Sequence, residues 1–394
     1  MKAISLRHIS IAVAVAGGAT AFLAGDFDRA EEHLKTFYTK IQAADFKAAR
    51  ASIDEAVRLW PSNARYHTWR GYVNSQQLPS QCSYGGPKLE EKVLEQVRTA
   101  AADYQRALAL NSRDAVAHHN LGWLYHLQGL DKQARQEWEL AIETDPATAI
   151  YRLSLGLFLN EQGDAAGADA HYASAIEATP IILDSPFFTR FRQQSPARAG
   201  AVLTEVRSTL ERRLGNANDP ILKARLGKLA LYNGDLAKAV DLLNSAARDL
   251  PNLPLVWFNL GEAWRRRGDL QQAWQCYNKA KFLDASLAGP PLRIGEMYLR
   301  AGQRAQATES LRTATQRWGQ VKPVTAGHNT RIYGGVPQPI DDLLPTTLVW
   351  FTTACEASEA YTALAGLAPG NKTYASRSAT CESLPAPHSG DVAR

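Results

Sequence analysis

Three glycines, Gly227, Gly261 and Gly295, recur at one constant spacing. A fixed period of about 34 residues is the mark of stacked helix–turn–helix units, and no other feature restricts the fold as tightly. Leu226, Leu260 and Ile294 directly precede the glycines. Ala239, Ala273 and Ala307 follow at one fixed interval, then Leu243, Tyr277 and Leu311, then Ala246, Ala280 and Ala314. Residues at i and i+4 share a helix face, so each period predicts two helices with facing apolar sides. Small residues at the contact permit close approach where larger ones would overpack it, at roughly 1–3 kcal/mol. Gly234–Asp235, Gly268–Asp269 and Gly302–Gln303 fall between the helices. Glycine there reads as a helix stop, since it takes the left-handed conformation without a Cβ penalty.

The same register runs upstream. Leu121–Gly122, Tyr125, Ala134, Trp138, Ala141 and Pro146 make one unit. Leu155–Gly156, Leu159, Ala168, Tyr172, Ala175 and Pro180 make the next, one full period on. An apolar residue and Gly in a first helix, then Ala, an aromatic or Leu, and Ala in a second: this framework, in five copies, resembles the tetratricopeptide repeat (TPR) family. The resemblance implies an all-α, right-handed α-solenoid. Its expected size is about seven or eight hairpins, with a C-terminal cap covering the unpaired face of the last unit.

Irregular stretches divide the chain. Residues 26–180 read as an N-terminal array. Its first unit carries Ala49, Ile53, Ala56 and Pro61 in register, but Phe37 where Gly is usual, and that bulk is expected to widen the helix pair. Its second unit has Gly71, a first helix over about Ala64 to Gln77, a Pro- and Gly-containing loop at 78–87, and a long second helix from about Lys88 to Leu110. Gly71 to Gly122 exceeds one period, and the excess is an insertion within this unit. Residues 181–219 fit one degenerate unit. In it Ser185–Pro186 and Ser195–Pro196 read as helix starts, Val202, Val206, Leu210 and Leu214 as an apolar stripe, and Phe187, Phe188 and Phe191 as packing between units. Residues 220–318 are the C-terminal array. Residues 319–367 are expected to cap it, with Leu343, Leu344, Leu348, Trp350 and Phe351 on the apolar side, and 368–394 read as a flexible tail.

The N-terminus carries an export pattern. Lys2, Arg7 and His8 precede an apolar run from Ile9 to Ala24, with Ala19–Thr20–Ala21 at a spacing a signal peptidase accepts. The run is shorter than the ~20 residues that comfortably span a bilayer. Residues 1–25 therefore read as a cleaved signal or as an uncleaved anchor, with a plain buried helix as the third reading. Cys276 lies on a repeat helix beside Tyr277 and reads as a small buried hydrophobe. In an exported chain Cys355 and Cys381 are the best candidate disulfide, against free thiols; no spacing of Cys82, Cys276, Cys355 and Cys381 suits zinc.

Chemistry is not suggested by the sequence. The net charge is +5, and no dense Lys/Arg tract supports a nucleic-acid partner. No His-Glu-x-x-His and no Gly-rich strand-to-helix loop occur. His118 and His119 are adjacent and so point apart on a helix; His119 and His126 share a face two turns apart and would need further ligands to hold a metal. No catalytic residue, metal or small-molecule cofactor is expected. The competing reading is an envelope enzyme with its site in the 78–87 loop or the 320–345 segment, where His328 and Asp341 are the polar candidates. A third is a cytoplasmic adaptor.

What the family resemblance implies is a concave groove, lined by first helices, that holds a segment of a protein partner. The residues at matching positions are His119, Trp123 and Leu127, then Leu153 and Leu157, then Lys228 and Tyr232, then Phe258, Arg265 and Arg266. Chaperone-binding members hold a C-terminal carboxylate with Lys and Asn. Here His119 and Trp123, Leu153 and Leu157, or Ala224 and Lys228 stand in those places, so that partner is not expected. Ile332–Tyr333–Gly334–Gly335 through Leu344–Pro345 is similar to TPR regions associated with bacterial O-antigen ligase-type proteins. Together these point to a non-catalytic scaffold, periplasmic or anchored in the inner membrane facing the periplasm. It would bind an envelope or membrane protein, in polysaccharide assembly or export.

Overall fold

The computed structural model describes residues 25–41, 45–78, 89–285, 287–320 and 359–378. Residues 1–24, expected to form a signal or anchor, the interior of the 78–87 loop with Cys82, both Cys355 and Cys381, His328, Asp341 and the residues from Leu343 to Phe351 expected to cap the array lie outside the described residues. Among the described residues every regular element is helical, as the α-solenoid class requires. They fall into two compact units, one ending at Thr144 and one beginning at Asp145. That division lies inside the stretch 26–180 read as one array, at a point where the repeat register is unbroken.

The first unit holds α1 (25–41), α2 (Phe46–Leu59), α3 (Ala64–Gln76), α4 (Glu91–Leu110), α5 (Ala115–Leu127) and α6 (Asp131–Thr144). The second holds α7 (Ala149–Glu161), α8 (Ala165–Ala178), a 3-10 turn (Pro180–Asp184), α9 (Pro186–Gln194), α10 (Pro196–Leu214), α11 (Pro220–Asn233), α12 (Leu236–Asp249), α13 (Pro254–Arg267), α14 (Leu270–Leu283), α15 (Gly289–Arg300), α16 (Arg304–Gln320), α17 (359–367) and α18 (Lys372–Ser378). The pairs α3/α4, α5/α6, α7/α8, α11/α12, α13/α14 and α15/α16 are the closely packed hairpins.

The hairpins α11/α12 and α13/α14 each turn on two residues. Gly234 (φ 82°) and Gly268 (φ 98°) end their helices in the left-handed region. The next residue starts the second helix: Asp235 and Asp269 accept from the backbone N–H groups of Lys238 and Gln272 at 3.2 and 3.0 Å. A capping carboxylate satisfies a donor that the helix itself cannot, and is worth about 1 kcal/mol.

The hairpins close on the repeat glycine. A Cβ placed on Gly261 would stand 2.6 Å from the Tyr277 ring, and one on Gly156 would stand 2.8 Å from Tyr172. Gly122 meets Trp138 and Gly227 meets Leu243 in the same way, the large residue standing at the same step along the chain each time. Trp138, Tyr172 and Tyr277 are thereby buried, each stabilising its unit by roughly 1.5–3 kcal/mol. Gly71 meets Tyr104, so the insertion leaves the pairing intact; part of it extends α4, which has 20 residues where α6 has 14. In the first hairpin Phe37 takes the glycine position and is buried with Ile53, smaller than the aromatic partners used elsewhere, and with Trp69 at 5.5 Å.

The degenerate stretch keeps its stripe, with Val202, Val206 and Leu210 buried. Ser185 caps α9 by accepting from Phe188 at 3.3 Å, whereas Ser195 makes no side-chain cap bond to α10. The phenylalanines do join neighbouring elements: Phe187 and Phe191 lie 4.9 and 5.2 Å from Tyr172 of α8, and Phe188 lies 5.7 Å from Tyr232 of α11. At the C-terminal end, Ala360 and Leu364 of α17 pack with Leu292, Leu311 and Ala314. One expectation is corrected here. Residues 372–378, read as part of a flexible tail, form α18, and Tyr374 packs against the same cluster. A single aromatic residue suffices because the apolar surface it covers is already assembled.

The glycine contact is directly testable. Gly261→Ala should destabilise the chain by about 1–3 kcal/mol, because the Tyr277 ring is held in place by its hydroxyl, which donates to Glu262 at 2.6 Å. Gly200, in α10, has nothing within 4 Å of an added Cβ, so Gly200→Ala should be neutral or stabilise by up to ~1 kcal/mol. Urea unfolding of both variants distinguishes them; equal effects would remove the contact from its role.

Candidate functional site

A cavity of about 260 Å³ opens in the second unit. It lies along consecutive first helices: Ile221, Arg225 and Lys228 on α11, Leu255, Phe258 and Asn259 on α13, and Gly289 and Pro290 at the start of α15. Thr179, Pro180 and Asp184 close the side nearest α8. The opening follows from the degenerate unit. Where a regular repeat would set a full first helix, the chain has a five-residue 3-10 turn and a nine-residue α9. The turn packs against α11, and it covers less of α11 than a helix of 13 or 14 residues, the length of α7, α11 and α13, would.

The wall is mostly aliphatic and aromatic, with a few polar groups. Phe258 is braced by Tyr277, ring centroids 5.9 Å apart. The Lys228 ammonium donates to Asp184 at 2.6 Å. The half-buried Asn259 makes no side-chain hydrogen bond among the described residues, so its amide offers a donor and an acceptor. Arg225 is half-buried as well, and among the described residues it has neither a hydrogen bond nor an ion pair. Burial, then the nearby Arg213, lower its pKa, against the opposing pull of Glu177 and Asp219.

Of the residues expected to line a groove, Lys228 and Phe258 meet in this cavity. Tyr232, one helical turn beyond Lys228, packs on Phe188 and accepts a hydrogen bond from Arg192 at 3.1 Å. Arg265 is committed to Glu262 at 2.7 Å, and the exposed Arg266 donates to the Leu231 carbonyl at 3.1 Å. Leu153 is buried and Leu157 half-buried on α7, neither of them on the cavity wall. On α5 of the first unit His119 and Trp123 are each 2% exposed and Leu127 is half-buried. Burial lowers the His119 pKa to about 3, so its imidazole is neutral at physiological pH. Sequence reasoning missed Ile221, Arg225, Leu255 and Asn259. The signal was available: Arg225 and Leu255 stand three residues before Lys228 and Phe258, on the same helix faces one turn earlier.

Among the described residues no cluster of three or more His, Cys, Asp and Glu is placed to hold a metal ion, and no helix is long and apolar enough to cross a membrane. His118 has its own structural engagement, Nδ1 to Glu137 at 2.6 Å and Nε2 to the Ser112 carbonyl at 3.1 Å. Cys276 is buried, which pushes its thiol up to about 12 and leaves it protonated and inert.

Models of the tetratricopeptide repeat match residues 35–77 and 225–288, and a second model of the same repeat matches 103–136. No curated protein matches the chain in sequence. Solved structures resemble it in fold. A tetratricopeptide repeat protein from Parabacteroides merdae shares 13% identity over 78% of this chain and 99% of its own, with a TM-score of 0.35. PilF of Pseudomonas aeruginosa shares 14% over 66% of this chain and 93% of its own, TM-score 0.33. YrrB, described as a TPR protein with an unusual peptide-binding site, shares 15% over 60% and 95%, TM-score 0.27. Likeness at these scores carries no argument about what this chain does.

Beyond the cavity, Glu262 anchors the charged end of the first-helix face. It is 8% exposed, bound by Arg265 at 2.7 Å and Arg293 at 3.3 Å, and hydrogen-bonded by Tyr277. Desolvation pushes its pKa up, but the Arg265 hydrogen bonds and the Arg293 charge outweigh it and hold the carboxyl at about 2, below the usual 4.5. A depressed carboxyl stabilises the fold above its unfolded pKa and loses that contribution as pH falls through its folded one. At pH 7 the wild type should exceed Glu262→Gln by about 3 kcal/mol, and the gap should close between pH 4.5 and 2. Urea midpoints across that window test it; a gap unchanged by pH would mean the carboxylate is not charged there.

Proposed function

We propose that this chain, a tetratricopeptide repeat protein, is a non-catalytic scaffold that holds an extended segment of a partner protein along the first helices of its second unit. Repeats of this family serve as protein-interaction scaffolds, which sets the class of function. The finer reading is carried by one observation: an apolar cavity, edged by uncommitted polar groups, running from α11 across α13 to the start of α15. Concave, mostly apolar walls with a few placed polar groups are what a bound segment requires. Asn259 can bond a peptide group of that segment while Phe258, Leu255 and Ile221 take its side chains.

The place of action we propose is the bacterial cell envelope, with the chain exported to the periplasm or held at the outer face of the inner membrane. The basic start and the apolar run from Ile9 to Ala24 support this. A role in polysaccharide assembly or export is supported by the similarity carried by Ile332 to Pro345. Alkaline phosphatase fused after Gly25 should be active in a bacterial host, since it folds only where disulfides form. An inactive fusion would return the chain to the cytoplasm.

A photo-cross-linking residue in place of Phe258 should give a discrete adduct with one envelope protein in a membrane extract. Ile221 and Leu253 are 41% and 38% exposed on the cavity rim, so Ile221→Glu and Leu253→Glu should change stability by no more than about 0.5 kcal/mol. The same two substitutions should abolish the adduct. An adduct that persists in both variants would place the partner elsewhere on the molecule.

A further inference from the structure

The cavity wall holds one cation that, among the described residues, no neighbour neutralises. Lys228 is engaged by Asp184 at 2.6 Å. The other carboxylates close enough to act on Arg225 are also in use. Glu177 accepts from the Arg213 guanidinium. Asp219 caps α11, accepting from the backbone N–H groups of Ile221 and Leu222 at 2.9 and 3.0 Å. Arg225 is left half-buried, with no ion pair or hydrogen bond among the described residues.

A guanidinium stays charged at any working pH. Arg225 therefore carries a standing electrostatic cost in the free protein, which burial and the Arg213 charge impose and which shows as a lowered pKa. An anion brought against it removes that cost. A wholly apolar ligand would instead complete its desolvation and leave the charge unpaired, which is the costly arrangement. A ligand with charge alone would waste the wall that Ile221, Leu255, Phe258 and Pro290 present.

We propose that the partner segment carries an internal acidic side chain, Asp or Glu, beside an aliphatic or aromatic one, with the carboxylate pairing with Arg225 and the apolar neighbour filling the cavity. The carboxylate is that of a side chain and not of a chain terminus, because the wall continues from α11 to α15 and lets the segment run on past Arg225. A guanidinium–carboxylate pair can be bidentate, which orients the segment as well as attracting it. This inference rests on reading the cavity as a protein-binding site.

The probes are end-blocked peptides Ala-Leu-Xaa-Phe-Leu-Ala with Glu, Gln or Lys at Xaa, labelled with fluorescein and titrated with the full chain by fluorescence anisotropy. Blocked ends make the side chain the sole carboxylate of the peptide backbone and side chains. The Glu peptide should bind about tenfold tighter than the Gln peptide, and the Lys peptide should be weaker still. Arg225→Gln should erase the Glu-over-Gln preference, keep the residual apolar binding and shift the thermal midpoint of the free protein upward. That upward shift separates a recognition residue from one needed for folding. Arg225→Glu should reverse the preference toward Lys. Equal binding of the Glu and Gln peptides by wild type overturns the acidic partner while leaving the cavity reading standing. Binding of all three that survives Ile221→Glu, or binding of none together with no adduct at the Phe258 position, overturns the cavity reading and this inference with it.

Discussion

The structure depends on a contact with almost no tolerance: a backbone glycine in one helix pressed against a large ring or leucine in the next. Removing a Cβ from one partner lets the other lie flat on bare helix backbone. The axes approach closely, and the small residues Ala239, Ala246, Ala273 and Ala280 complete the buried contact. Because a hairpin so formed has further apolar sides it cannot cover, each must stack on the next. Period, hairpin and array are thus consequences of one steric fact, repeated.

Regularity of that kind leaves little room for a cavity, and the site arises where it lapses. Gly156 and Gly227 stand slightly more than two periods apart. The chain absorbs the excess in a 3-10 turn and a short α9 whose phenylalanines restore the packing toward α8 and α11. Core continuity survives there on aromatic contacts, while α11 keeps an open flank. A lapse in the repeat and the formation of a binding wall are here the same event, seen from the core and from the surface.

The residues that set the fold were legible because their role is steric and periodic: Gly261 and Tyr277 must pair wherever they stand in a repeat. Helix starts at Ser185 and Ser195 were also readable, yet only Ser185 makes its bond, since a cap depends on a rotamer the sequence does not specify. The cavity was half legible. Lys228 and Phe258 were found from their register, whereas Arg225, one turn before Lys228, and Asn259, next to Phe258, stand outside the positions that the family framework singles out. Arg265 looked like a free anchor and is held by Glu262, a partner three residues before it on the same helix. Helix α18 was hidden by a composition with one aromatic, Tyr374, and the division after Thr144 leaves no trace in a register that runs through it unchanged.

Arg293 matters for what it joins. From α15 its guanidinium reaches Glu262 on α13, Glu296 on its own helix and Glu359 on α17. In a linear stack the last element has a neighbour on one side only, and it is the first to fray. A side chain shared among three consecutive layers ties the loosening of the outermost to the disruption of the two beneath it. One half-buried cation thus couples the outermost helices to the two layers beneath them, through a contact with Glu262 that is buried and one with Glu359 that faces solvent.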